Sequence, residues 1–253
     1  MRKLLFILVA VAAGWAGATR SAPPSTPPGP PPIEAWSRVL ERFVDDQGRV
    51  DFAALARDRA DLDRFVAYVG EIAPGNAPEL FPSAPHVLAF HINAYNALAM
   101  HKVIERGIPT TLAGFAKIGF FYFGKVTVGG EAISLYDYEN RVIRTLGEPR
   151  IHFALNCMSV GCPRLPREPF EAVRLDGQLD RETRRFLGEL RNVAVDDAAR
   201  VVRLSEMFDF YTADFLAVAP SLTAYVNRFR TPVLPLDYAI EFMDYDWTIN
   251  RQP

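Results

Sequence analysis

Cysteine and histidine are both scarce in this chain, which has two of the first and four of the second among 253 residues. A disulfide-rich scaffold is therefore excluded. So is a recognisable zinc motif, because His91 and His101 fall on one predicted helix with no acidic residue at ligand spacing. No glycine-rich phosphate loop occurs, which removes the usual signal of a nucleotide site. Neither sign of charge is in marked excess: 28 basic and 30 acidic residues are interspersed, and the electrostatic footprint of a nucleic-acid binder is missing. The apolar run at Leu4 to Ala13 falls short of the roughly 20 residues that a membrane-spanning helix needs. No internal repeat is visible, so a solenoid is not expected. Neither a metal nor a cofactor is expected.

The short apolar run has a meaning where it stands. Arg2 and Lys3 precede it and Ala16-Gly17-Ala18 comes after it, the succession of charged, apolar and small residues that marks a cleaved signal peptide. Residues 1–18 are accordingly predicted to be a signal peptide. The mature protein is then expected to be periplasmic or secreted, without a stable membrane span. Seven prolines lie between Ser21 and Pro32. Each fixes φ and removes a donor, so residues 19–32 are predicted to be an extended spacer. Residues 33–253 remain for one domain, with ample apolar content for a core.

Within that domain, Ile33 to Val44 and Asp61 to Ile72 carry apolar residues at helical spacing. His86 to Arg106 is the strongest helical stretch, apolar on nearly every side yet interrupted by Asn93, Tyr95 and Asn96. Phe120 to Val128 and Glu131 to Leu135 read as strands flanking a Gly129-Gly130 turn. Tyr136 to Leu146 returns to helical period, and Arg150 to Asn156 reads as a short strand leading into a loop. A helix at Leu179 to Leu190 and a hairpin from Val193 to Leu204 come next. Helices at Ser205 to Val218 and Ser221 to Phe229 and an extended Asp244 to Asn250 complete the chain. Helices and hairpins without a regular βαβ repeat predict an α+β fold, with helices around a small, mostly antiparallel sheet.

The chemistry concentrates after the Arg150 to Asn156 segment. Cys157 and Cys162 are five residues apart, and in an exported protein this spacing allows a disulfide that pins the loop. The alternative makes Cys157 a nucleophile with His152 as its base, since a reactive thiolate needs a neighbour that lowers its pKa. Asn93 and Asn96, one helical turn apart, either tie neighbouring loop backbone or orient a substrate or an imidazole. Glu139, Asp209 and Asp214 stand where helix capping accounts for a carboxylate. Asp246 and Trp247 are expected to anchor the last segment.

Five segments, taken in order, carry a resemblance: HINAYNA at His91 to Ala97, SLYDYEN at Ser134 to Asn140, RIHFALNCMSVGCPRL at Arg150 to Leu165, LSEMFDFYTADF at Leu204 to Phe215, and YDWTIN at Tyr245 to Asn250. Together they resemble the family known as domain of unknown function 547. The resemblance implies that Asn93, Tyr95, Asn96, Glu139, His152, Cys157 and Cys162 are the positions of interest. It also implies two departures, His91 where relatives typically have tryptophan and Asn140 where many have histidine.

These readings converge on an exported domain with a polar cleft that binds or acts on a peptide or cell-envelope ligand. As a thiol-dependent hydrolase or transferase it would use Cys157, His152, Asn93 and Glu139 in catalysis, and Asn96, Tyr95 and Cys162 in binding. As a non-catalytic envelope interaction module it would use the same residues as a disulfide-braced core.

Overall fold

A computed structural model describes residues 29–253. The predicted signal peptide and most of the predicted spacer lie outside the described residues. The described chain forms ten helices and five strands, the strands in two separate sheets, and the fold is α+β. None of the helices is long and apolar enough to cross a membrane.

The first half of the chain wraps helices around α4 (Ala84–Glu105), which is buried along most of its length. A helix without a polar face needs cover on every side. α1 (Ile33–Phe43) and α3 (Ala60–Glu71) pack against one another and the same core, with Trp36 stacked on Phe65 at 5.7 Å between ring centres. Between them lies α2 (Phe52–Arg57), capped by Asp51 and absent from the sequence reading. The hairpin of β1 (Lys125–Val128) and β2 (Glu131–Ser134) turns through Gly129 and Gly130 at φ 57° and 87°, which glycine adopts without a Cβ penalty. The turn is fastened to the end of α3, where Gly129 N–H donates to the Val69 carbonyl at 2.9 Å.

A second core forms under β3 (Val193–Asp196), β4 (Val201–Ser205) and β5 (Ala239–Met243). β3 and β4 are the expected hairpin; β5 has no counterpart in the sequence reading and pairs parallel to β4. The crossover between β4 and β5 contains α8 (Met207–Phe210), α9 (Thr212–Leu216) and α10 (Leu222–Val226), and α7 (Leu175–Gly188) contributes Phe186 and Leu187 to the same core.

Two segments expected as strands are helical turns instead. The apolar run after α5 (Phe115–Lys117), expected as a strand from Phe120, is a π-helical turn over Ile118–Phe123, with the strand beginning only at Lys125. Arg150 to Asn156 is not a strand either: Pro149–Phe153 is a 3₁₀ turn. Pro149 occupies its first turn, and the Glu148 side chain accepts from Arg150 N–H at 3.0 Å, which starts the helix rather than extending the chain. Three residues per turn let consecutive side chains point in three directions, where a strand would offer two. Ile151 enters the first core, Phe153 enters the second, and His152 faces the space between.

Candidate functional site

That space is a cavity of about 300 Å³. His152, on the 3₁₀ turn, forms its polar wall. The turn is clamped to α7 by Arg150, which reaches Glu148 at 2.7 Å, Asp176 at 2.8 Å and Asp180 at 2.6 Å. With the backbone so held, His152 stacks on the Tyr211 ring at 3.8 Å and brings Nε2 to 2.8 Å from Asp214 Oδ2. Arg144 completes the group with a bidentate pair, Nε to Oδ2 and Nη2 to Oδ1, both at 2.7 Å. Burial pushes the Asp214 carboxyl up, but the hydrogen bonds from His152 and Arg144 outweigh it and hold the group well below the usual carboxylate range. Asp214 is thus the orienting partner of His152, not the helix cap that its position in the sequence suggested.

Glu139 enters from α6 (Leu135–Tyr138), at the first residue of a π turn, Glu139–Ile143, that continues the helix. Capping is done by Ser134, whose hydroxyl accepts from Asp137 N–H at 3.0 Å and donates to the Asp137 carboxylate at 2.7 Å. Glu139 is thereby free to turn inward, and it is buried. Tyr95 Oη donates to Glu139 Oε2 at 3.1 Å. Burial first, and the Glu139 carboxylate second, hold the phenols of Tyr95 and Tyr211 well above their ordinary pKa, so both remain proton donors. Asn140, the next residue, lines the cavity and accepts a hydrogen bond from Arg144.

The third wall is the loop after Asn156. Cys157 and Cys162 form a disulfide with Cα atoms 6.3 Å apart. Of the two readings of this pair, the structure shows the bridge, and no free cysteine remains among the described residues. Asn156 shapes the loop, its Oδ1 accepting from Met158 N–H and its Nδ2 donating to the Pro163 carbonyl, both at 2.7 Å. This fixes Met158 at φ 69°, an unusual conformation for a residue with a side chain. From the far end of the chain, Tyr245 Oη lies 3.1 Å from Cys162 Sγ and 3.4 Å from Cys157 Sγ. Gly161 makes that approach possible, because a Cβ there would lie 2.8 Å from the Tyr245 ring. Asp246 anchors the segment by accepting from Thr248 N–H at 2.9 Å.

Five of the residues singled out from sequence therefore line one cavity: Tyr95, Glu139, His152, Cys157 and Cys162. Asn93 and Asn96 are placed elsewhere. Asn93 Oδ1 accepts from Trp36 and from Phe170 N–H at 3.2 and 3.0 Å, and its Nδ2 donates to the Phe170 carbonyl at 2.8 Å. Asn93 does not line the cavity, and these hydrogen bonds tie it to α1 and to the Phe170 loop. Asn96 acts one step removed, bonding the Ala154 carbonyl at 3.0 Å and Asn156 N–H at 2.7 Å and so holding the exit of the 3₁₀ turn. Sequence reasoning missed Arg144, Asn156, Tyr211 and Tyr245 as site residues, and it set Asp214 aside. The one signal for Asn156, Tyr211, Asp214 and Tyr245 is that they fall inside the recognisable blocks at Arg150 to Leu165, Leu204 to Phe215 and Tyr245 to Asn250.

Residues 82–187 match the family model described as "Protein of unknown function, DUF547". The chain carries a DUF547 domain. Tyr95, Glu139, His152 and both cysteines lie inside the matched DUF547 segment, whereas Tyr211 and Tyr245, which also line the cavity, and Asp214, which holds His152, come from C-terminal to it. No curated protein and no solved structure matches the chain.

Proposed function

We propose that the protein is an exported, periplasmic or secreted enzyme whose cavity takes a peptide or cell-envelope ligand and uses Cys157 as nucleophile once the disulfide is opened. The observation that carries this reading is that the Cys157–Cys162 bridge and His152, itself held by Asp214, line the same cavity. Opening the bridge needs a dithiol donor, which gives two electrons and two protons to the disulfide and becomes a disulfide itself. His152, with Asp214 holding Nε2, accepts the Cys157 proton; the thiolate attacks a carbonyl carbon, and the leaving group takes the proton from His152. Water then cleaves the thioester in a hydrolase, or an amine does so in a transferase. Tyr245 and Ser159, both within hydrogen-bond range of Cys157 Sγ, stand ready to donate to charge developing beside it.

A second reading is favoured by the bridge itself: a non-catalytic envelope interaction module, in which the disulfide braces the loop. Closing so small a loop contributes about 2 kcal/mol to stability. Alkylation with iodoacetamide, followed by mass, separates the two. An enzyme gives, after dithiol reduction, one cysteine that reacts much faster than the other down to mildly acidic pH, with the rate lost in His152→Ala and Asp214→Asn. A module gives equal, slow alkylation of both thiols and equal destabilisation in Cys157→Ala and Cys162→Ala.

A further inference from the structure

At its aromatic end the same cavity already contains a cation. Lys117 Nζ lies 3.9 Å from the centre of the Trp247 ring and 5.4 Å from that of Phe210. Trp247 meets Tyr245 at 4.6 Å, Phe121 at 6.1 Å and Phe210 at 6.3 Å, so four rings cluster where the ammonium is held. Aromatic faces in this arrangement select ammonium groups, through the ring quadrupole, over neutral groups of equal size. A carboxylate stands behind the rings without lining the cavity: Glu206 accepts from Tyr245 N–H at 3.1 Å, and its charge acts on Lys117 against the burial that lowers the lysine pKa. Among the described residues Lys117 forms no ion pair, so the rings are its principal partners there.

The segment that bears Lys117 is poorly tied to the core. It begins at Gly114 and passes through α5, three residues long with none of them buried and Phe115 93% exposed, and the chain enters the first core only beyond Lys117, at Phe120 and Phe121. Segments with few buried contacts open at the least cost. A lysine held by aromatic rings on such a segment is replaceable by another amine.

We infer that the Trp247, Phe210 and Tyr245 rings form an ammonium subsite, that Lys117 is its internal placeholder, and that the ligand brings a primary or quaternary amine that displaces Lys117. This rests on the reading of the cavity as a ligand site and adds the chemical class of the ligand. One end of the ligand is cationic and sits on the rings; the part to be attacked lies toward Cys157 and His152, which line the same cavity.

Tryptophan fluorescence reads the subsite directly, since Trp247 lies in it, Trp36 is sealed in the first core and Trp15 belongs to the predicted signal peptide. The protein without residues 1–18 and its Lys117→Ala variant are titrated with n-butylammonium, tetramethylammonium and the neutral 1-pentanol. Removing the placeholder is expected to tighten binding of one cation by about tenfold, the size of a desolvated cation–π contact. The cation that gains more tells a primary from a quaternary amine, and 1-pentanol should gain nothing. The tryptophan fluorescence left in Trp247→Leu, with circular dichroism as the check on folding, should show no response to either cation. Equal gains for pentanol and the cations, or no cation binding to a folded Lys117→Ala variant, overturns the inference. Amine binding without fast alkylation of a reduced cysteine leaves the subsite standing and removes the thiol mechanism; fast alkylation without amine binding does the reverse.

Discussion

His91 shows how far a single residue is set by its surroundings. It sits on α4 with Nδ1 2.8 Å from the Tyr138 hydroxyl, its ring edge-on to Phe90 and Tyr138. Burial brings its pKa down to about 4, from 6.5 in an open chain. Above pH 6.5 the imidazole is neutral folded and unfolded, and its titration leaves stability unchanged. Between pH 6.5 and 4 only the unfolded chain takes up the proton, so stability falls with pH, by at most about 3 kcal/mol. His91→Gln keeps a hydrogen-bonding group for Tyr138 and loses the titration. Urea unfolding at pH 7 and pH 4.5 should show the wild type losing more stability than the variant, and parallel losses would place the proton uptake elsewhere. Asp214 does not confuse the comparison, because its depressed carboxyl stays ionised across this window.

Among the elements, the last segment of the chain decides the shape of the site. Its backbone is laced to two loops: Val160 N–H donates to the Thr248 carbonyl and Gly161 N–H to Asp246, both at 2.8 Å, and Leu112 N–H donates to Trp247 at 2.8 Å. These bonds set Tyr245 against the disulfide and Trp247 against Lys117. Gly161 is the contact point, and in Gly161→Ala the new methyl group must push the Tyr245 ring, which is confined by Phe210 and Trp247. Overpacking of this kind costs about 1–3 kcal/mol. Denaturant unfolding should register that loss together with faster reduction of the bridge, since Tyr245 covers both sulfurs. A variant with wild-type stability and an unchanged reduction rate would mean that the ring shifts freely.

Across the molecule, two cores meet at one short turn. Ile151 belongs to the core around α4 and Phe153 to the core under β3–β5, with His152 between them at the cavity. Phe153 is fully buried against Phe186, Phe208, Phe215 and Tyr225. Its replacement by alanine should cost about 3–5 kcal/mol. Hydrogen exchange should then accelerate first in β3, β4 and α10 and only later in α4, because Phe153 packs in the second core alone. Uniform acceleration through both cores would show that they open as one unit.

The long helices of the first core and both hairpins were legible in the sequence, because long apolar periodicity and turn residues act locally and leave little choice. So were five residues of the cavity. The α+β class came from the same signals. What only the tertiary structure decided lies where neighbours distant in sequence compete with local propensity. The Arg150 to Asn156 segment reads as a strand, yet two cores and a cavity claim the successive side chains of Ile151, His152 and Phe153, and a 3₁₀ turn satisfies all three. Asn93 and Asn96 look alike on paper, and their separate duties arise because Phe170 and Asn156 reach them from different loops. Asp214 meets His152 across sixty-two positions, and Tyr245 meets Cys162 across eighty-three. Such pairings depend on how the chain closes upon itself, and no local pattern of residues encodes them.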